Sequence, residues 1–390
     1  MSVKTADRAS AYSDDRGLRA SARREGSAIS VRMMAIPAVF LSAIGLVYAN
    51  SASFPAMVRM GEAMELSVIK HLAAFAVGLA LMFGLSRVTY DRLRGLAWPI
   101  LVVCLIALAS VWIPGFGRRV NGSCRWIGFG PLTIQPSEFA KVGMVLYVAA
   151  LVTQPRYNVA DLWNGLLVPL VAIGGVCLLI EREPDLGTAI VVFLTCLSVL
   201  YVAGARSRHI WAVLGIAVVA AAIFTMSAEH RRQRVTAWLS PDSQREGAGY
   251  QIKEALIAVG ENGLAGRGFG RGEARYYVPA AGTDYIMATV AEELGVVGVL
   301  VVVAGIGTLV FQAYRVASAS RDRFAMLVAA GIGAMFMWQA LLNIAVVTNS
   351  VPSTGVPMPF ISAGGSSLMA CFAAIGILSR PSVRERAALR

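Results

Sequence analysis

Long apolar runs separated by short polar stretches are the dominant pattern of this chain. An α-helix needs about 17 to 25 residues to span the hydrocarbon core of a bilayer, and most of the runs reach that length. They occupy residues 33–50, 69–86, 96–113, 136–154, 165–180, 186–204, 210–227, 296–314, 325–347 and 366–379. The pattern therefore predicts an all-α, polytopic membrane protein with about ten transmembrane helices.

The longest interruption, about residues 228–295, predicts a large extracytoplasmic loop between transmembrane helices 7 and 8. Within it, YQIKEALIAVGENGLAG predicts a short amphipathic helix that ends at or near Gly260, and the glycines that follow argue against a continuous helix. Residues 1–32 are polar and arginine-rich and predict a disordered cytoplasmic tail. Residues 33–380 then form the transmembrane domain, and residues 381–390 form a second cytoplasmic tail.

Composition supports the membrane class. The chain is 57% hydrophobic and 15% charged, with a mean hydropathy of +0.64, whereas soluble domains carry more charge. The net charge of +12 is spread between apolar runs, so it favours membrane topology and no nucleic-acid partner. The short loops on the side of both termini hold more of the basic residues, which predicts cytoplasmic termini. The spacing of cysteine and histidine predicts neither a disulfide framework nor a metal site.

A short segment on the predicted outer side, residues 114–135, carries Arg118, Arg119 and Arg125 against the positive-inside rule. Asn121-Gly122 at its middle predicts a β-hairpin turn. Two interpretations are balanced here: a surface hairpin with solvated arginines, or a lid whose arginines face an anion.

Glu138 and Lys141 are an intramembrane pair of opposite charge. They follow Pro136, which suits the first turn of a helix and places both side chains on one face. One interpretation is an ion pair near the interface, worth a few tenths of a kcal/mol. The favoured one is a polar patch that faces a hydrated cavity, because ionisable residues inside membranes are usually functional. Asp185 is predicted to cap the helix that follows it.

Asp284 follows Thr283 at a predicted helix start. A carboxylate there can simply complement the helix dipole. Its position downstream of a glycine- and arginine-rich loop suggests a functional role instead. A helix N-terminus lowers the pKa of such a carboxyl group and burial raises it, and the sequence leaves open which effect is larger. Glu292 and Glu293 are interpreted as interfacial charges.

Six stretches, in this order, carry a family resemblance: NGSCRWI, QPSEFAK, PDLGTA, GYQIKEALIAVGENGLAGRGFG, VPAAGTDYIMATVAEELG and STGVPMPFISAGGSS. Together they resemble the FtsW/RodA/SpoVE family, also called SEDS proteins, and they are closer to FtsW, the division member. The resemblance runs from the first span to the tenth. It implies a peptidoglycan glycosyltransferase of the bacterial cytoplasmic (inner) membrane that polymerises lipid II on the outer face, in cell division or cell-shape maintenance.

The resemblance also implies roles for individual residues. The family's essential aspartate corresponds to Asp284, the expected general base, and its paired glutamate and lysine correspond to Glu138 and Lys141. The reaction implied is an inverting transfer that makes a β-1,4 linkage and releases polyprenyl diphosphate. Residues expected to bind the substrate or its diphosphate are Arg118, Arg119, Arg125, Arg267, Arg271 and Ser362.

A divalent cation, Mg²⁺ or Mn²⁺, could share this work, but no ligand set is legible and no metal-binding residue is assigned. The implied partners are lipid II, a class B penicillin-binding protein that acts as transpeptidase, and other division or elongation proteins.

The chain departs from the family pattern at Gly282, Glu183 and Ala363, where the usual residues are histidine, glutamine and tyrosine. Two rival functions remain: a lipid II flippase or other transporter, and a non-catalytic divisome scaffold. The acidic residue and arginines lie on one side only, which favours the enzyme over the transporter. The departures keep the scaffold open.

Overall fold

A computed structural model describes residues 31–60, 64–120, 123–129, 132–226, 229–240, 248–260, 263–278 and 281–379. A π-helical turn, Leu162–Leu166, precedes α5. In chain order the other elements are α1 (Val31–Met60), α2 (Met64–Leu85), α3 (Tyr90–Ser110), β1 (Gly117–Val120), β2 (Ser123–Phe129), β3 (Leu132–Ile134), α4 (Pro136–Val152), α5 (Leu167–Arg182), α6 (Leu186–Val202), α7 (Ser207–Met226), α8 (Glu229–Leu239), α9 (Ala248–Gly260), α10 (Ala274–Tyr277), α11 (Ile286–Ala319), α12 (Arg323–Val347) and α13 (Gly365–Leu378).

The predicted spans are confirmed as helices. Within the described ranges, six helices are long and apolar enough to cross a membrane, namely α1, α2, α3, α7, α11 and α12. Helices α6 and α13 are apolar but shorter, and α4 and α5 occupy the fourth and fifth predicted spans. The chain is thus a mostly helical, polytopic membrane protein. The predicted tails, and with them the outer limits of the predicted domains, lie outside the described residues.

The bundle is built around α4, α6, α12 and α13, whose side chains are the most thoroughly buried. Helix α4 packs on α3, α12 packs on α6 and α11, and α13 packs on α2. Small residues allow close approach: a Cβ on Gly331 would lie 2.6 Å from Val145 and 2.7 Å from Val199. In lipid, such van der Waals packing holds helices together, because the surrounding tails are as apolar as the side chains.

The hairpin prediction is confirmed, and the hairpin belongs to a small sheet within an otherwise helical fold. Strands β1, β2 and β3 form an antiparallel sheet in that order, with Val120 opposite Ser123. The turn residues Asn121 and Gly122 themselves lie outside the described part. Strand β3 leads through Gln135 directly into α4, so the sheet is anchored where the Glu138 helix begins.

The long loop contains α8, α9 and α10, and α9 ends at Gly260 as predicted. Helix α11 begins ten residues before the predicted span. The hydropathy pattern missed its first turns because they contain the charged residues Glu292 and Glu293. These are not interfacial charges. Both are buried, and their carboxylates accept backbone N–H bonds of 2.8–3.0 Å from residues 270, 273 and 274 of the glycine-rich segment. Gly295, at φ 65°, interrupts the helix where that segment crosses it.

Candidate active site

Four charged side chains from separate parts of the chain come together at one end of the bundle. Asp284 immediately precedes α11, Asp185 begins α6, Arg125 lies on β2 and Arg234 lies on α8. The charges of Arg125, Asp185 and Arg234 all act on the carboxyl group of Asp284. We call these four residues the charge cluster. It brings the predicted catalytic aspartate together with one of the predicted arginines and with two residues that were not assigned to the site.

Asp185 is fixed as the N-cap of α6, as predicted. Its carboxylate accepts a hydrogen bond from the Thr188 backbone N–H (3.2 Å) and one from the Gln135 side-chain amide (3.0 Å). Only 1% of its side chain is exposed. The guanidinium of Arg125 stands 3.9 Å from the carboxylate, which is an ion-pair distance without a close hydrogen bond.

Arg125 is held by the backbone of the turn between α5 and α6. Its Nε donates to the carbonyl oxygen of Glu183 at 3.0 Å, and a terminal nitrogen donates to the carbonyl oxygen of Pro184. Two neutral carbonyl groups thus hold the guanidinium in place. Its nearest carboxylate, that of Asp185, is too far away for a close hydrogen bond. A planar fork held in this way suits a phosphate ligand.

The backbone around Asp284 is tied to the irregular, proline-rich segment 351–364. Ser362 Oγ donates to the carbonyl oxygen of Thr283 at 2.7 Å. The Asn343 amide donates to the carbonyl oxygens of Asp284 (2.9 Å) and Val356 (2.8 Å). Irregular backbone at membrane depth is stable only when it is buried in protein or lines a cavity, and these bonds satisfy it. Ser362 therefore positions the loop of Asp284 through its hydroxyl group.

Gly282, where the family resemblance led us to expect histidine, lies in close contact with α1. A Cβ at this position would overlap Ser53 Oγ and would stand 3.0 Å from the Ala49 carbonyl oxygen. The Gly282 carbonyl accepts a 2.8 Å bond from the Ala363 N–H. Two of the three departures from the family pattern therefore meet each other, and glycine is needed for the close approach of α1.

The sequence left open whether the helix N-terminus or burial has the larger effect on the pKa of Asp284. In the structure, burial has the largest effect. Burial raises the pKa of this carboxyl group to about 6, Arg125 and Arg234 lower it, and Asp185 raises it. Glu183, the third departure, is completely buried, and burial together with the charge of Asp185 raises its pKa to about 9 against the opposing charge of Arg125. At neutral pH the site thus holds Asp284 mostly ionised and Glu183 protonated.

Glu138 and Lys141 form a buried ion pair behind the charge cluster. Lys141 Nζ is 2.8 Å from Glu138 Oε2, and the side chains are 3% and 1% exposed. The pair is enclosed by protein, which differs from the expected patch facing a hydrated cavity. It connects to the cluster through Gln135 at the start of α4, whose side-chain amide binds Asp185 and whose backbone N–H donates to Ser366 Oγ at 2.9 Å.

The other predicted arginines lie elsewhere. Arg118 and Arg119 are on β1, where Arg118 packs over Gly128. Arg267 pairs with Glu273 (3.1 Å) and Glu292 (3.6 Å), next to the glycine-rich segment. Arg271 is exposed in that same segment. Arg118, Arg267 and Arg271 are not among the charges that act on Asp284.

Arg234 is the residue of the charge cluster that the sequence analysis did not single out for any role. It belongs to the basic stretch HRRQRV, where spacing does not distinguish it from its neighbours. Its half-buried position and its bond to the carbonyl oxygen of Ser353 become visible in the tertiary structure. Across the described ranges, no group of three or more His, Cys, Asp and Glu side chains is arranged to hold a metal ion.

Comparisons with known proteins identify the family. Residues 31–387 match the family model FTSW_RODA_SPOVE, described as cell cycle protein. The chain is 34% identical over 356 residues to stage V sporulation protein E of Bacillus subtilis (strain 168), covering 91% of this chain and 97% of that protein. It is also 34% identical over 351 residues to the probable peptidoglycan glycosyltransferase FtsW of Geobacter metallireducens, covering 90% and 93%.

Solved structures show the same fold. A chain from a peptidoglycan synthase complex, studied for structural coordination of polymerization and crosslinking, superposes with a TM-score of 0.73 at 28% identity and covers 91% of this chain and 97% of that chain. The crystal structure of the rod shape determining protein RodA of Thermus thermophilus gives a TM-score of 0.65 at 28% identity, covering 88% and 94%. With the matched family model and these relatives, the chain belongs to the FtsW/RodA/SpoVE family.

Proposed function

We propose that this chain, a peptidoglycan glycosyltransferase of the SEDS family, polymerises lipid II with Asp284 as general base. The observation that carries the proposal is a carboxylate of raised pKa held beside two guanidinium groups, those of Arg125 and Arg234. This combination supplies a proton acceptor and a site for an anionic leaving group within one cluster.

The step at the anomeric carbon follows from these groups. The hydroxyl of the acceptor sugar attacks the anomeric carbon of the lipid-linked donor and gives its proton to the Asp284 carboxylate. The bond to the diphosphate oxygen breaks with inversion, and polyprenyl diphosphate leaves with the bonding electrons. A base with a pKa of about 6 is ionised at pH 7 and still basic enough to accept the proton.

Arg125 has the fixed position that the leaving group requires. Its guanidinium donates to the carbonyl oxygens of Glu183 and Pro184, and among the described residues the carboxylate within ion-pair distance is that of Asp185, at 3.9 Å. A donor that is already oriented stabilises developing charge without reorganising during the reaction. Asp185 and Gln135 hold the turn and the start of α4 together, so we assign them positioning roles.

Partner and topology belong to the same proposal. The similar chain of known structure comes from a complex that couples polymerization to crosslinking, and we infer a transpeptidase of the class B penicillin-binding type for this chain too. Basic residues in the short loops support cytoplasmic termini, which would place the charge cluster on the outer face. The matched family model is described as cell cycle protein, and a rod shape determining protein has the same fold, so we infer a role in division or cell-shape maintenance.

Polymerisation of labelled lipid II by the purified chain with its cognate transpeptidase tests the proposal. Asp284→Asn should make no glycan chains while it still binds the partner. Glu229→Gln is the matched control, a carboxylate-to-amide change on the exposed face of α8 in the same loop, and it should keep full activity. The wild-type rate should rise with pH through about 6, as Asp284 loses its proton.

Two outcomes would reject the proposal. Equal chain formation by wild type and Asp284→Asn would remove Asp284 as the base. A well-folded wild-type complex that makes no product would favour the scaffold, or the transporter if the same protein moves lipid II across vesicle membranes.

A further inference from the structure

We propose that Arg234, on α8 of the long loop, is a binding residue for the diphosphate of the lipid substrate and forms a two-arginine clamp with Arg125. This inference rests on the proposed function and adds the residue that recognises the second phosphate. Three observations carry it: the place of Arg234 beside Asp284, the distance of more than 4 Å to every carboxylate in the described part of the chain, and the way that α8 is fixed.

The segment 353–355 places Arg234 beside the catalytic aspartate. Arg234 donates to the carbonyl oxygen of Ser353 at 3.4 Å. Two residues later, a Cβ on Gly355 would lie 3.5 Å from Asp284 Oδ2. Between them, the carbonyl of Thr354 is in contact with Gly187, in the first turn of α6 just after Asp185. One tripeptide therefore touches the arginine, the base and the helix that Asp185 caps.

The guanidinium groups of Arg125 and Arg234 are suited to bind an anion between them. Among the residues that the structure describes, no carboxylate lies within 4 Å of the Arg234 guanidinium, and Arg125 has only the distant contact with Asp185. The two guanidiniums are close enough to repel each other, and burial followed by the charge of Arg125 lowers the pKa of Arg234. The charges of Asp284 and Asp185 offset part of this effect from beyond 4 Å of Arg234, and an anion bound to both guanidiniums would offset the rest. A diphosphate offers two phosphates, one for each guanidinium.

Helix α8 is fixed to the protein by a reciprocal contact on the turn after Arg234. Trp238 Nε1 donates to the carbonyl oxygen of Asn349 at 2.9 Å, and the Asn349 amide donates to the carbonyl of Trp238 at 3.4 Å. Its neighbour Arg232 points elsewhere: it is 49% exposed and pairs with Glu229 within the helix. The chain thus provides a matched control two residues away, with the same side chain but a solvated environment.

The experiment measures how strongly two product analogues inhibit polymerisation by the complex: polyprenyl diphosphate and polyprenyl monophosphate of equal chain length. Wild type should prefer the diphosphate. Arg234→Gln should weaken inhibition by the diphosphate about 10- to 100-fold, the loss expected for a charge-assisted contact, and should change the monophosphate much less. Arg234→Lys, which keeps the charge but loses the fork, should fall between the two. Arg232→Gln should match wild type.

Binding to the Asp284→Asn variant separates this inference from the proposed function. In that background no turnover occurs, so the affinities for the lipid-linked donor and for polyprenyl diphosphate can each be measured with and without Arg234→Gln. Weaker binding of both supports the clamp for the diphosphate that they share. Weaker binding of polyprenyl diphosphate alone assigns Arg234 to product release and overturns its role in the donor complex.

Two further results would overturn the clamp while leaving Asp284 as the base. One is an Arg234→Gln protein that melts like wild type and discriminates diphosphate from monophosphate as before. The other is an equal loss of affinity for the two analogues, which would mean that Arg234 supports the loop and does not read the second phosphate.

Discussion

Glu183→Gln tests the electrostatics of the candidate site without removing any group that is proposed to touch substrate. Glu183 is fully buried, and no hydrogen bond reaches its carboxyl oxygens from the described residues. Burial and the negative charge of Asp185 raise its pKa from 4.5 to about 9, with Arg125 opposing. Glutamine has the same shape and no proton to lose, so the substitution removes the titration and little else.

The magnitude follows from the two pKa values. In the unfolded chain Glu183 ionises near pH 4.5, whereas in the folded chain it keeps its proton until about pH 9. The stability of the wild type relative to the variant is therefore highest below pH 4.5 and falls as pH rises, at about 1.4 kcal/mol per pH unit. At pH 7 the difference reaches up to about 3 kcal/mol in favour of glutamine, and it stops growing above pH 9.

The pH dependence of this stability difference can be measured by thermal unfolding of the purified protein in detergent at intervals from pH 5 to pH 9. The melting temperature of Glu183→Gln should exceed that of wild type by a margin that widens with pH. Glu229→Gln serves as the control, because its carboxylate is exposed, and its margin should stay flat. A constant difference between Glu183→Gln and wild type across the range would refute the claim that Glu183 is buried and protonated.

Two other substitutions test the packing around the site. Lys141→Met leaves the buried Glu138 carboxylate without its partner and should lower the free energy of unfolding by about 3–5 kcal/mol. The control, Arg232→Met, breaks an exposed pair of the same spacing and should lower it by about 0–1 kcal/mol. Equal melting temperatures of the two variants would contradict the burial of the Glu138–Lys141 pair. Gly282→Ala should lower both the melting temperature and the polymerisation rate, because α1 leaves no room for a Cβ. Gly307→Ala, with open space around it, should leave both the melting temperature and the rate unchanged. Equal results for the two alanine variants would show that α1 can move aside to make room for a Cβ at Gly282.

Several features of this protein could be predicted from sequence because the forces that produce them are local. Hydropathy over a window of one helix length predicted ten apolar segments, and a helix is found at each of them. Pro136 at the start of α4 and Asp185 as the cap of α6 depend on bonds within one turn, and the β1–β2 hairpin depends on its two-residue turn. The start of α11 was missed for the same reason: its charged first turns, with Glu292 and Glu293, lack the apolar signal that defines a span.

The composition of the charge cluster was decided by the tertiary structure alone. Arg267 and Arg234 carry the same charge in the same loop. Arg267 is held by its ion pairs with Glu273 and Glu292, whereas the docking of α8 places Arg234 beside Asp284. The pKa of Asp284 likewise depends on groups that are 50 to 160 residues away in sequence. Burial and charge act through space, and a sequence specifies which groups exist but not which of them the fold makes neighbours.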